Sequence, residues 1–159
     1  MTLRNKRMAH LQGRACSRPW ASSILRVEPA YACAVITDSR ARLLLQLRPA
    51  SARHAPGLLT CFGGQRESGE NAEACLRREL VEELGWQATA LIPCCDLWKG
   101  RRFIARFHQT TFSGGALSTE AGHIALWAPW PALPGLPVSP WHRAVLTALA
   151  AGNPRVDLA

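Results

Sequence analysis

The 159-residue chain has no apolar run approaching the roughly 20 residues that a membrane-crossing helix requires, so no segment reads as a helical anchor. Its first residues, MTLRNKRMAHLQGRACSRPW, lack the continuous apolar stretch of a secretory signal. The expected location is therefore the cytoplasm. The six cysteines, at 16, 33, 61, 75, 94 and 95, contain no C-x-x-C pair, and two are adjacent. That spacing argues against a zinc framework or an ordered disulfide set and fits reduced thiols in a reducing compartment. No internal repeat and no low-complexity tract is present. Acidic residues become scarce toward the end, where Glu120 stands alone between Asp96 and Asp157.

What the chain has in excess is positive charge. Lys and Arg number 19 against 11 Asp and Glu, a formal net charge of +8, which suits attraction to nucleic acid or to phosphorylated small molecules. Much of the excess lies in residues 1–26, at Arg4, Lys6, Arg7, Arg14, Arg18 and Arg26, read as a flexible basic tail. The remaining length suffices for one ordinary core and not for two. The expectation is a single domain over 27–153, with 154–159 as a C-terminal tail.

Along that domain the hydrophobic period changes. AYACAVITD (30–38) and RLLLQL (42–47) predict a hairpin of two buried strands. A Pro/Gly loop follows, then the short apolar patch LLTCF. In NAEACLRRELVEELG, Ala72, Leu76, Leu80 and Leu84 recur every fourth residue with Cys75 beside them. Asn71 is placed as N-cap, Glu73 in the first turn and Gly85 as the left-handed stop. WQATALIPCCDLW and RFIARFHQTTF predict two strands joined at KGR, HIALWAPW predicts another, and Trp127 to Pro140 a packed loop. SPWHRAVLTALA predicts a closing helix with Ser139 as N-cap and Pro140 at its first position. Strands mixed with two well-separated helices give an α/β or α+β layered domain.

The central helix carries an unfavourable arrangement. Glu79, Glu82 and Glu83 recur at spacings of three and four and stack on one side of it. Like charges at that spacing repel by a few tenths of a kcal/mol per pair, and carboxylates near a helix C-terminus oppose its dipole. Arg77 and Arg78 could make this an ordinary salt-bridged surface. The preceding Gly63, Gly64 and Glu70 suggest otherwise, because glycines let backbone approach a phosphate and clustered carboxylates suit Mg²⁺ or Mn²⁺.

GQRESGENAEACLRRELVEELGW, Gly64 to Trp86, resembles the Nudix box, G-x5-E-x7-R-E-U-x-E-E-x-G-U, where U is a bulky aliphatic residue. Gly64, Glu70, Arg78, Glu79, Leu80, Glu82, Glu83 and Gly85 match. Trp86 departs from the aliphatic last position, and Phe62-Gly63-Gly64 lacks the proline of the usual F-P-G-G. The resemblance extends more loosely over about residues 28 to 150. It implies the Nudix fold, a mixed β-sheet sandwiched between α-helices, and a metal-dependent pyrophosphohydrolase acting on a nucleoside diphosphate linked to another moiety. By position it implies Glu79, Glu82 and Glu83 as carboxylates for Mg²⁺ (or Mn²⁺), with the Gly63 carbonyl contributing. It also implies an Arg78–Glu70 ion pair that holds the loop on the helix and orients Glu79. The general base would be Glu79 or Glu120. Gly63 and Gly64 would approach the substrate, and Arg48 and Arg53 lie in a loop where its phosphates would sit. His54, His108, His123 and His142 show no partner pattern and read as structural or surface residues.

The box leaves the substrate open among nucleoside triphosphates, nucleotide sugars and dinucleotides. The expected partner is a nucleotide-type small molecule and no membrane, with a homodimer by analogy to the family. Two alternatives stand beside the hydrolase reading: a non-catalytic nucleotide sensor, and an RNA 5′-end pyrophosphohydrolase that would use the basic charge. An isoprenoid isomerase of the same fold lacks support, because its additional histidine and cysteine motifs are not found.

Overall fold

The computed structural model describes residues 27–159; the basic segment 1–26 lies outside them. Within that span the chain forms β1 (Tyr31–Thr37), β2 (Arg42–Leu47), β3 (Leu59–Thr60), β4 (Phe62–Gln65), α1 (Ala72–Leu84), β5 (Ile92–Lys99), β6 (Arg102–Thr111), β7 (Ile124–Pro129), a 3₁₀ segment (Trp130–Gly135), α2 (Pro140–Ala150) and β8 (Arg155–Leu158). All eight strands join one mixed sheet. Its order is β3-β2-β1-β6-β5-β8, with β7 on β2 and β4 on β1. The β1/β6 and β5/β8 pairs are parallel and the others antiparallel.

Alternation explains how one sheet serves two layers. Cys33, Val35, Leu43 and Leu45 point to the side covered by α2, where Val145 and Leu146 are buried. Ala32, Ala34, Ile36 and Leu44 point to the side covered by α1, against Leu76, Leu80 and Leu84. Strands buried on both faces read as the near-continuous apolar runs seen in the sequence.

β1 is shared along one edge. Its end pairs with β2 at Ile36 and Thr37, while its first half pairs with β4 from Tyr31↔Gln65 to Ala34↔Phe62. The glycine pair is thereby carried into the sheet beside β1 and set under α1. Phe62, directly before the glycine pair, is fully buried on the α1 side.

Four expectations need correction. Residues 154–159 are not a tail: Arg155–Leu158 pairs in parallel with Asp96–Lys99, and Asp96 N–H donates to the Pro154 carbonyl at 2.9 Å. The strand expected from Trp86 begins only at Ile92. Trp86, Ala88 and Leu91 are buried as irregular chain instead, with Trp86 edge-on to Phe112 at 5.5 Å. The stretch after Trp127 holds the 3₁₀ segment rather than a plain loop. Ser139 stands at the N-cap of α2, but its side chain makes no capping bond; its N–H donates to the Leu59 carbonyl at 2.9 Å.

Candidate active site

α1 is marked at both ends as its sequence suggests. Asn71 Oδ1 accepts from Ala74 N–H at 2.8 Å, satisfying one unpaired donor of the first turn. Gly85 takes φ 61°, the left-handed conformation that ends helices, and Ser118 N–H from the loop before β7 donates to the Leu84 carbonyl at 3.0 Å. These caps fix the ends of α1, and burial of Leu76, Leu80 and Leu84 against the sheet sets the rotation that sorts the three glutamates.

The side chain of Glu82 is 52% exposed and that of Glu79 16%, whereas Glu83 is buried at 8%. The three therefore do not share one environment on their side of the helix: Glu83 is three residues from Leu80 and next to Leu84, and it turns under the helix. Its Oε2 accepts from Gly63 N–H at 2.8 Å and its Oε1 faces Gln46 Nε2 at 3.4 Å. Burial pushes the Glu83 carboxyl up to about 7, against the opposing pull of the Gly63 N–H. Burial also raises Glu79, while Arg78 draws it back.

Arg78 is the hub. Its Nε donates to Glu70 Oε1 at 2.7 Å, one terminal nitrogen meets Glu79 at 2.8 Å and Glu82 at 3.1 Å, and the other meets Glu70 Oε2 at 3.1 Å and the Gln65 carbonyl at 3.2 Å. The guanidinium thus clips the loop onto the helix and supplies the cation that the glutamate cluster needs. It holds Glu70 well down, at about 2. Glu70 Oε2 also accepts from Glu67 N–H at 2.9 Å.

Gly63 is sterically required by backbone, and Gly64 leaves room for a site carboxylate. Gly63 has φ 134°, and a Cβ there would lie 2.1 Å from the Ala32 carbonyl oxygen. A Cβ on Gly64 would lie 2.3 Å from Glu79 Oε1. The Glu79 carboxylate rests on the bare backbone of Gly64.

The other sequence candidates fall into place unevenly. Arg48 Nε donates to the His54 carbonyl at 2.8 Å and a terminal nitrogen meets Gln46 Oε1 at 3.3 Å. Arg53 is exposed on the same loop. Glu120 is exposed on the loop before β7, 3.7 Å from His123 Nδ1, and near enough to contribute to the upward shift of Glu83. Gln46 escaped the sequence reading, while His142, read as structural or surface, has a structural role. Gln46, 1% exposed, is the one uncharged polar residue in RLLLQL and shares the site-facing side of β2 with Leu44. His142 accepts from Cys61 N–H through Nδ1 at 3.0 Å, pinning the strand backbone two residues before Gly63. Burial holds His142 down at about 4, so it stays a neutral acceptor.

A cleft of about 460 Å³ is lined by Leu44, Leu117, Thr119, His123, Ala125 and Trp127. Its floor is the same face of β2 that presents Gln46 to Glu83. Among the described residues, no three His, Cys, Asp or Glu side chains converge closely enough to form a ready-made metal cage. None of the described helices is long and apolar enough to cross a membrane.

Comparison with known proteins agrees with this architecture. Residues 27–149 match the NUDIX domain family. The chain is 32% identical over 138 residues to an NAD-capped RNA hydrolase NudC of Chromobacterium violaceum, covering 84% of this chain and 50% of that protein. It is 36% identical over 91 residues to an isopentenyl-diphosphate Delta-isomerase 2 of Aromatoleum aromaticum, covering 56% of this chain and 42% of that one. It thus spans half or less of the length of these curated relatives. Among solved structures, the MutT protein of Methanosarcina mazei superposes with a TM-score of 0.65 at 17% identity, covering 80% of this chain and 97% of that one. The NUDIX domain of Shewanella oneidensis NrtR in complex with ADP ribose gives 0.61 at 17% identity, covering 84% and 91%. The family match spans the glycine pair, the Arg78 network and both helical layers, and the chain belongs to the NUDIX domain family.

Proposed function

We propose that the chain is a divalent-metal-dependent pyrophosphohydrolase that cleaves a nucleoside diphosphate linked to another moiety. The observation that carries this reading is the position of Arg78. One guanidinium holds Glu70, Glu79 and Glu82 around a glycine pair whose backbone in turn holds Glu83. An ordinary surface salt bridge needs neither a buried glutamate nor two glycines packed this closely.

The residues fit Mg²⁺ or Mn²⁺. Glu79, Glu82 and Glu83 offer hard carboxylate oxygens, and the missing Cβ of Gly64 leaves room above it for the Glu79 carboxylate. With the Gly63 carbonyl, these three would hold the ion. When bound, it would neutralise phosphate oxygens and make water a stronger nucleophile.

The chain's own residues do the positioning. Arg78 and Glu70 fix Glu79, and Gly63 N–H with Gln46 orients the Glu83 carboxylate, so no reorganisation is needed as charge develops. Glu79, raised by burial and held from two sides, is the base that takes the proton of the attacking water. Glu120, on an exposed loop, is a contributor to the charge around the site. The cleft walled by Leu44 and Trp127 suits a flat, partly apolar moiety such as a nucleobase. The ADP ribose complex of the NrtR domain and the NAD-capped RNA named for the NudC relative both support a nucleotide-type substrate.

The test is release of phosphate or phosphate esters from nucleoside triphosphates, nucleotide sugars, dinucleotides and coenzyme A, with Mg²⁺ or Mn²⁺. Wild type should turn over at least one compound, and Glu82→Gln should lose on the order of 10²–10⁴-fold without a change in melting. Retained ligand binding without metal-dependent turnover on any compound would replace this reading with the nucleotide sensor.

A further inference from the structure

β7 and β8 are edge strands, each paired on one side only, and they are guarded differently. β8 carries Arg155 and Asp157, which grip each other through bonds of 2.8 and 2.7 Å, and Asn153 Oδ1 accepts from Arg155 N–H at 3.1 Å. Charges on an edge and donors already occupied both discourage pairing with another chain. β7 has neither device. Its sequence IALWAP holds no charged residue, and Ile124 is 57% exposed.

The hydrogen bonds of β2 show which way the backbone of β7 faces. Arg42 N–H donates to Asp38 Oδ1 at 2.8 Å, and the Arg42 carbonyl accepts from Asp38 N–H at 3.0 Å. At the other end of β2, Arg48 N–H donates to the Leu58 carbonyl at 3.0 Å. The even-numbered residues of β2 therefore turn toward β1 and β3, and Leu43, Leu45 and Leu47 toward β7. Their partners are Ala128, Leu126 and Ile124, in an unbroken antiparallel register. Ala125 and Trp127 thus aim both N–H and C=O away from the sheet. Among the described residues, neither N–H has a hydrogen-bond partner. Pro129, the next outward residue, has no N–H to offer.

We propose that β7 pairs edge to edge with β7 of a second copy of the chain, antiparallel about a two-fold axis at Leu126. The edge is self-complementary in that register. Ala125 lies opposite Trp127 of the other copy, and each such pair exchanges both of its N–H···O bonds. Pro129 falls opposite His123, whose N–H already donates to the Glu120 carbonyl at 3.0 Å. Every unpaired donor of the edge finds an acceptor, and the residue without a donor meets one that needs no acceptor. Exposed Ile124 comes beside Ala128 of the second copy, and no like charges meet, because the strand has none.

Such a contact buries less than the roughly 1,200 Å² of a standard interface, so the dimer should be weak and concentration-dependent. It also bears on the cleft. Ala125 and Trp127 belong to its wall, and the pairing sets Trp127 of the second copy beside Ala125. Only a role for that second indole at a bound base rests on the proposed hydrolase; the pairing itself does not.

The test is sedimentation equilibrium of the full chain, without metal or nucleotide, from micromolar to millimolar concentration. Wild type should follow a monomer–dimer equilibrium. Ile124→Lys, a charge placed on the open edge, should weaken association by about tenfold or more with an unchanged melting temperature, whereas Asp157→Lys on the opposite edge should leave association as it is. The register is read by Leu126→Cys in a Cys16→Ser background. Residue 126 of each copy faces its own counterpart, with Cα atoms about 4.5 Å apart, a separation a disulfide can span, so mild oxidation should cross-link this variant and not its Cys16→Ser parent. A monomer at every concentration would overturn the proposal and leave the edge to some other extended chain. So would Ile124→Lys associating as tightly as wild type, an equal weakening by Asp157→Lys, or no cross-link at residue 126. If Ile124→Lys melts early, the cross-link decides. Neither readout involves turnover, so failure of the hydrolase reading and failure of this one are told apart.

Discussion

The two faces of the sheet are packed by different means. On the α2 side, Val145 and Leu146 press onto Cys33, Val35, Leu43 and Leu45, and the principal polar contact is the neutral one between His142 and Cys61. On the α1 side the same sheet packs against Leu76, Leu80 and Leu84, yet the layer also contains a buried carboxylate, a half-buried one and an arginine joining five oxygens of four residues. The α2 face is held mainly by apolar burial, whereas the α1 face gives up some stability to keep charge in place, a common feature of functional sites.

The sharpest way to break the contrast is at the seam between the layers. Gly63→Ala places a Cβ 2.1 Å from the Ala32 carbonyl at φ 134°. It should yield no soluble folded protein, as judged by far-UV circular dichroism and expression. Next in size, Leu146→Ala on the α2 face should cost about 2–5 kcal/mol in urea unfolding. Turnover per folded molecule should stay at the wild-type level.

The opposite pattern belongs to Glu83. Burial raises its folded carboxyl to about 7 from an ordinary 4.5, so the folded state binds its proton more tightly than the unfolded state does. The stability cost is absent below about pH 4.5, grows as pH rises, and is complete above about pH 7. Glu83→Gln in EDTA should therefore gain on the order of 2–3 kcal/mol at pH 8 and almost nothing near pH 4.5, while losing turnover. Equal gains at both pH values would refute burial of a charge as the cause. The smallest effect is expected for Asn71→Ala. Loss of the bond to Ala74 N–H should cost about 1 kcal/mol, read as a drop in melting temperature, with turnover little changed.

Much of the α1 face was legible because its signals are local. The fourfold spacing of Ala72, Leu76, Leu80 and Leu84, the Asn71 cap and the Gly85 stop all lie within 15 residues. The Glu70–Arg78 pair was read from the resemblance to the family motif. The hairpin of β1 and β2 and the helical start at Pro140 were local as well. Less legible were contacts between distant segments. Arg155–Leu158 has no marked strand pattern of its own, and its structure comes from pairing with β5. Gln46 reads as an ordinary strand residue until Glu83, 37 positions away, is brought against it. Arg48 was read only as lying in a loop where phosphates would sit, and its bonds to the His54 carbonyl and to Gln46 are contacts that the fold alone reveals.

The sequence by itself determined the helix, its ends, the glycine pair and which residue types could do phosphate chemistry, because spacing and backbone freedom are properties of a few neighbouring residues. Only the tertiary structure decided how three similar glutamates divide. α1 must bury its leucine stripe on the sheet, and that single rotation puts Glu82 in water, Glu79 on Gly64 and Glu83 beneath the helix.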